Sequence, residues 1–94
     1  MPKFRKKPVV IEARRWLGSV EVATELIDWV LENNGTASYH DFTDFPEAET
    51  YISINTLEGT MVLRAGNYLI RGVQGEFYSC DQDIFAATYE AVAE

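Results

Sequence analysis

The chain has 94 residues, 47% of them hydrophobic and twelve aromatic, which suffices for one packed core and is too short for two. Its net charge of −7 at pH 7 disfavours nucleic acid and anionic membrane surfaces as partners, and no run is long and apolar enough to read as a transmembrane helix or a secretory leader. A lone cysteine, Cys80, has no internal disulfide partner, so the expected compartment is the reducing cytoplasm.

The charge is uneven. Residues 1–16 hold Lys3, Arg5, Lys6, Lys7, Arg14 and Arg15 against Glu12, a balance of +5, and the remaining residues carry −12. A basic entry segment therefore precedes an acidic body. After Pro8, Val9 to Trp16 reads as a first strand, with Val9, Ile11 and Ala13 on one side and Glu12, Arg14 and Trp16 on the other. Gly18-Ser19 breaks it, and Ser19 is placed to cap a helix whose first turn carries Glu21.

Ala23, Leu26, Ile27, Val30 and Leu31 recur at helical spacing, widened by Val22 and Trp29, while Glu21, Glu25, Asp28 and Glu32 fill the polar arc. Asn33-Asn34-Gly35 ends the helix, with Gly35 expected in the left-handed conformation. Thr36 to His40 reads as a short strand, and Asp41 to Thr50 as an acidic loop.

Three turn signals follow at intervals of eight residues: Glu58-Gly59, Gly66-Asn67 and Gln74-Gly75. Six-residue runs rich in β-branched and aromatic residues separate them, which predicts an antiparallel meander over residues 51–80. Counting pairs outward from each turn opposes Asn55 to Val62, Ser53 to Arg64, Arg64 to Leu69, Val62 to Arg71, Arg71 to Tyr78 and Leu69 to Cys80. One face then holds Ile52, Ile54, Met61, Leu63, Ala65, Tyr68, Ile70 and Phe77 and should meet the helix. The other holds Tyr51, Ser53, Asn55, Val62, Arg64, Leu69, Arg71, Val73, Glu76, Tyr78 and Cys80.

Beyond Cys80, Asp81 or Asp83 is placed to cap a short helical turn containing Ile84 and Phe85, and residues 88–92 suit a final strand or a helix. The expected architecture is an α+β fold, a single domain over residues 1–94, with one helix packed on a mostly antiparallel β-sheet that contains the meander.

Motifs for catalysis are weak. Cys80 is followed by Asp81 and Asp83, whose charge opposes a reactive thiolate. His40-Asp41 reads as a surface loop histidine rather than a general base. Asp41, Asp44, Glu47 and Glu49 lack the spacing and central glycine of a calcium loop, and no zinc cluster or phosphate-binding glycine motif is present. No catalytic residue, metal or cofactor is assigned. The mixed face, with arginines amid Tyr, Ser, Asn and Leu, has three readings: a subunit interface, a ligand site, or a solvated surface.

Two segments carry a family resemblance. The opening Lys3-Phe-Arg-Lys-Lys-Pro-Val-Val-Ile-Glu-Ala13, and Gly66-Asn-Tyr-Leu-Ile-Arg-Gly-Val-Gln-Gly-Glu-Phe-Tyr-Ser-Cys80 followed by Asp83-Ile-Phe and Ala87-Thr-Tyr-Glu90, resemble a small family encoded by bacteriophages and prophages. With Thr56-Leu-Glu-Gly59, the likeness touches about half of the chain and leaves residues 17–50 uncovered. The family often has Asp at the position of Asn67, and a Pro-Cys-Lys-Pro-like stretch where this chain has Ser79-Cys80-Asp81-Gln82. The resemblance implies a phage accessory protein acting in the host cytoplasm and supplies no reaction or catalytic residues.

The expected function is that of a non-enzymatic, homo-oligomeric binding protein. It would be a counter-defence factor that sequesters a small nucleotide-like anion, or a host protein, through Arg14, Trp16, Ser53, Asn55, Arg64, Arg71 and Tyr78. The alternatives are an acidic nucleic-acid mimic that inhibits a host DNA-binding protein, and a small virion or assembly component.

Overall fold

A computed structural model describes residues 2–5, 7–41, 50–56 and 59–92. Its elements in chain order are β1 (Glu12–Arg15), α1 (Val20–Glu32), β2 (Thr36–His40), β3 (Tyr51–Thr56), β4 (Gly59–Arg64), β5 (Tyr68–Arg71), β6 (Phe77–Cys80) and α2 (Gln82–Thr88). The fold is α+β with two helices. Its strands form two three-stranded antiparallel sheets, ordered β1-β5-β6 and β2-β3-β4.

The expected continuous meander is therefore split, and the split falls at Gly66-Asn67. Gly66 takes φ 95° and Asn67 N donates to the Arg64 carbonyl at 3.2 Å, closing a turn that needs a left-handed third residue. The chain does not return along β4. Gly66 N instead donates to the Trp16 carbonyl at 2.6 Å and Trp16 N donates to the Asn67 carbonyl at 3.0 Å, which starts β5 against β1. The expected Arg64–Leu69 and Val62–Arg71 pairs do not form, because β4 and β5 lie in different sheets.

The flanking registers also differ from expectation. Thr56 opposes Gly59, so the β3–β4 connection is residues 57–58, and those two lie outside the described residues. Asn55 then pairs with Thr60, Ser53 with Val62 and Tyr51 with Arg64, a two-residue shift that keeps every side chain on its expected face. At the next hairpin the shift is one residue. Gly72 N donates to the Glu76 carbonyl, Gly75 N to the Gly72 carbonyl, and Gly75 takes φ 83°, so the loop has three residues. Arg71 consequently pairs with Phe77 and Leu69 with Ser79, and Tyr78 lies on the face opposite Arg71.

One core joins the two sheets and α1. From the β2-β3-β4 sheet come Ile52, Ile54 and Leu63, with Ala37, Tyr39 and Met61 beside them. The β1-β5-β6 sheet contributes Leu69 and Phe77, α1 contributes Ala23, Leu26, Trp29 and Val30, and Trp16 is fully buried among them. Leu69, expected on the mixed face, is buried because the one-residue shift turns it inward.

Helix α1 begins where the sequence indicates: Ser19 is extended and its Oγ accepts from Val22 N. At the far end the left-handed residue is Asn34, with φ 69°, rather than Gly35. Gly35 is needed for space, since a Cβ there would lie 2.7 Å from Val30 Cγ1. β1 is shorter than the expected strand from Val9, and residues 89–92 form no strand.

β5 is covered on both sides, with Leu69 and Ile70 both buried. Leu69 faces the core, and Ile70 shares the opposite face with Tyr68, Tyr78 and Cys80. The second face is roofed by α2. A seven-residue helix is marginal by itself, and three attachments hold this one. Asp81 Oδ1 accepts from Asp83 N and Ile84 N, Asn67 Oδ1 accepts from Gln82 N, and the Phe85 ring stacks on Tyr68 with centroids 3.7 Å apart. The Tyr78 and Tyr89 hydroxyls meet at 3.3 Å beyond the helix end.

Two outcomes follow for stability. Trp16→Ala should lose about 3–5 kcal/mol in urea unfolding, the usual loss for emptying a buried aromatic site. A loss under 1 kcal/mol would remove Trp16 from its place at the sheet junction. Burial, then Tyr89, pushes the Tyr78 phenol up from 10.0 to about 12. Its raised value means that the fold favours the neutral phenol, so this contribution is complete below pH 10 and is lost as pH rises through about 12. Ultraviolet titration of the wild type minus Tyr78→Phe should accordingly give a difference curve centred near 12. A midpoint near 10 would contradict the buried hydroxyl pair.

Candidate functional site

Sheet β2-β3-β4 turns one face to the core and the other outward. Alternation along its strands places Thr36, Ser38 and His40 from β2, Tyr51, Ser53 and Asn55 from β3, and Thr60, Val62 and Arg64 from β4 on the outer face. The registers arrange them in three cross-strand rows: Thr36-Asn55-Thr60, Ser38-Ser53-Val62 and His40-Tyr51-Arg64.

Hydrogen bonds knit the rows. Asn55 Nδ2 donates to Thr36 Oγ1 and Thr60 Oγ1 donates to Asn55 Oδ1, each at 2.9 Å, so the first row is a continuous polar strip. His40 Nε2 and Ser53 Oγ lie 2.9 Å apart across the second and third rows. The His40 ring stacks on Tyr51 at 4.5 Å between centroids and 17° between planes. His40 is thus a half-buried strand residue with two partners, which corrects its reading as a loop histidine. Arg64 is exposed at the end of the same row.

This face combines a cation, a planar aromatic pair and neutral hydrogen-bonding groups. Guanidinium groups bind phosphate and carboxylate oxygens in pairs, and rings exposed on a sheet can stack with a base. The His40–Ser53 contact is also the first half of a base–nucleophile arrangement. Catalysis of that kind needs a third group to orient the base and donors for an oxyanion.

The structure distributes the seven expected residues over three places. Ser53, Asn55 and Arg64 stay together on the outer face. Trp16 leaves the candidate site because it is wholly buried, with Nε1 donating to the Ser19 carbonyl at 2.8 Å. Arg14 shares the core-side face of its sheet with Leu69. Its guanidinium lies 4.2 Å from the Trp29 ring centroid and 3.6 Å from Glu12 Oε2, which gives it a packing role.

Arg71 and Tyr78 are separated from each other and from Arg64. Arg71 lines an open groove of about 460 Å³ with Val10, Ile11, Glu12, Gly72 and Val73, and its buried Nε has no hydrogen-bond partner among the described residues. Tyr78 is under the C-terminal segment, bonded to Tyr89. Cys80 follows the direction its neighbours suggest: burial, then the Asp81 carboxylate, pushes its thiol up.

Two groups were missed. Thr36, Ser38 and His40 enter because β2 pairs with β3, and their polar alternation against Ala37 and Tyr39 was the available signal. Arg15 donates to the Gly66 carbonyl and to Gln82 Oε1 while its guanidinium carbon lies 5.6 Å from the Tyr68 ring centroid. That bridge ties β1, the inter-sheet turn and α2, and no local pattern announces it. Metal-ligating groups of three or more His, Cys, Asp or Glu do not occur among the described residues. No described helix is long and apolar enough to cross a membrane. Compared with family models, curated proteins and solved structures, the chain has no match.

Proposed function

We propose that this is a non-enzymatic phage accessory protein that sequesters a small nucleotide-like anion on the outer face of β2-β3-β4. The observation that carries the reading is the row His40-Tyr51-Arg64, which sets a guanidinium beside a stacked aromatic pair, with Ser53 and Asn55 in the adjoining rows. Arg64 meets the phosphate, the rings take the base, and the hydroxyl and amide groups bind sugar or base edges. The body's charge of −12 disfavours long polyanions and leaves a mononucleotide or cyclic dinucleotide as the fitting substrate class. Sequestering such a signal would make the protein a counter-defence factor in the host cytoplasm.

Ligand at 100 times its dissociation constant stabilises a fold by about 2.7 kcal/mol. In a domain of this size 1 kcal/mol moves Tm by about 4–8 °C. A panel of nucleotides, cyclic dinucleotides and ADP-ribose near a millimolar should therefore raise Tm by about 10 °C or more for the true ligand. Arg64→Ser and Tyr51→Ala should each abolish the shift while leaving the unliganded Tm within a few degrees. No shift across the panel would reject the reading.

A second reading rests on α1. Glu21, Glu25, Asp28 and Glu32 are all exposed and fall on one stripe of that helix, a linear array of carboxylates such as a nucleic-acid mimic would present. The partner would then be a basic host DNA-binding protein. Capture of such a protein should be competed by duplex DNA and lost in Glu25→Lys with Asp28→Lys; capture that survives both would dismiss mimicry.

A further inference from the structure

The first eleven residues and the end of the β5–β6 hairpin leave an unusual amount of apolar surface open. Phe4 is 94% exposed, Val10 75%, Val73 64% and Val9 45%. Val10 and Val73 are walls of the open groove that Ile11, Glu12, Arg71 and Gly72 complete. Upstream of β1 the chain belongs to no helix or strand, and the molecule is elongated, 54 by 33 by 28 Å, with a radius of gyration of 14.8 Å. A compact chain of this length has about 12 Å.

Charge singles out what the groove receives. The Glu12 carboxylate lines it, and the Glu76 carboxylate lies over Gly72, in the space a Cβ there would fill. An apolar pocket with two acids at its rim suits an aromatic side chain flanked by cations. Lys3-Phe4-Arg5 is such a segment. Direct pairing of two β1 strands about Ile11 is disfavoured, since it would bring Arg15 opposite Lys7. The arm, at +5 together with β1, is instead complementary to a body at −12.

We infer that residues 2–11 form an exchange arm, and that Phe4 of one copy seats in the Val10–Val73 groove of a second copy while Lys3 and Arg5 meet Glu12 and Glu76 at its rim. The contact is reciprocal, so two arms and two grooves close a symmetric dimer. It lies on the β1-β5-β6 sheet and is independent of the ligand reading, which uses the other sheet.

Sedimentation across roughly 1 to 200 µM, a range that brackets micromolar dissociation constants, decides the matter. The wild type should sediment as a dimer of twice 10.7 kDa and dissociate as salt is raised. Phe4→Ser and Val73→Ser, both at exposed positions, should each weaken dimerisation at least tenfold with unchanged circular dichroism and Tm. Mixing the two variants should partly restore it, because the Val73→Ser chain has an intact arm and the Phe4→Ser chain an intact groove. Arg64→Ser should dimerise as the wild type does. A monomeric wild type overturns the inference, as does a dimer indifferent to both substitutions or a mixture no better than either variant alone. Wild-type binding to anionic vesicles as a monomer would assign the arm to a lipid surface and overturn it equally.

Discussion

The burial of Trp16 is the constraint on which the rest depends. Its backbone receives and makes the bonds that turn the chain from β4 into β5, its ring fills the space between two sheets and a helix, and its indole N–H fixes the Ser19 carbonyl at the start of α1. Three separate structural decisions therefore meet in one residue. A small domain can support this because a large aromatic buries much area while its one polar group finds a partner nearby. Tyr39 packs edge-on to the same ring at 6.2 Å, which ties β2 to the junction.

That junction determines what each sheet is free to do. With β5 drawn to β1, the β1-β5-β6 sheet is covered on one side by the core and on the other by α2, and most of its side chains are engaged in packing. The β2-β3-β4 sheet packs only one face and leaves the polar rows outside. The division places Arg64 and Arg71 on different sheets. Arg64 keeps an aromatic and hydroxyl setting, whereas Arg71 faces a groove walled by valines and an isoleucine. Two distinct recognition surfaces on a chain of 94 residues are thus a consequence of one change of strand partner.

Much of the fold was legible locally. The Ser19 cap and the α1 stripe depend on contacts within a few residues, and so does the alternation that buries Ile52, Ile54 and Leu63. The β3–β4 register came out two residues away from the expected one without moving a side chain to the wrong face, because a strand's faces repeat every second residue. The β5–β6 register did not have that protection. Gly72 to Gly75 makes a three-residue loop with Gly75 left-handed, and the odd shift exchanged Leu69 with Ile70 in the expected scheme. Both are apolar and both are buried, so the pattern could not tell them apart.

The sequence by itself determined the α+β class, the position and polarity of the first helix, the core face of the central strands and the presence of Ser53, Asn55 and Arg64 on one surface. Those features follow from periodicity, capping and side-chain chemistry within single segments. Only the tertiary structure decided that Gly66-Asn67 joins two sheets instead of closing a hairpin, that Trp16 and Arg14 pack instead of recognising a ligand, and that His40 joins Tyr51. A turn signal specifies a change of direction; which strand the chain then meets depends on residues fifty positions away competing for the same backbone edge.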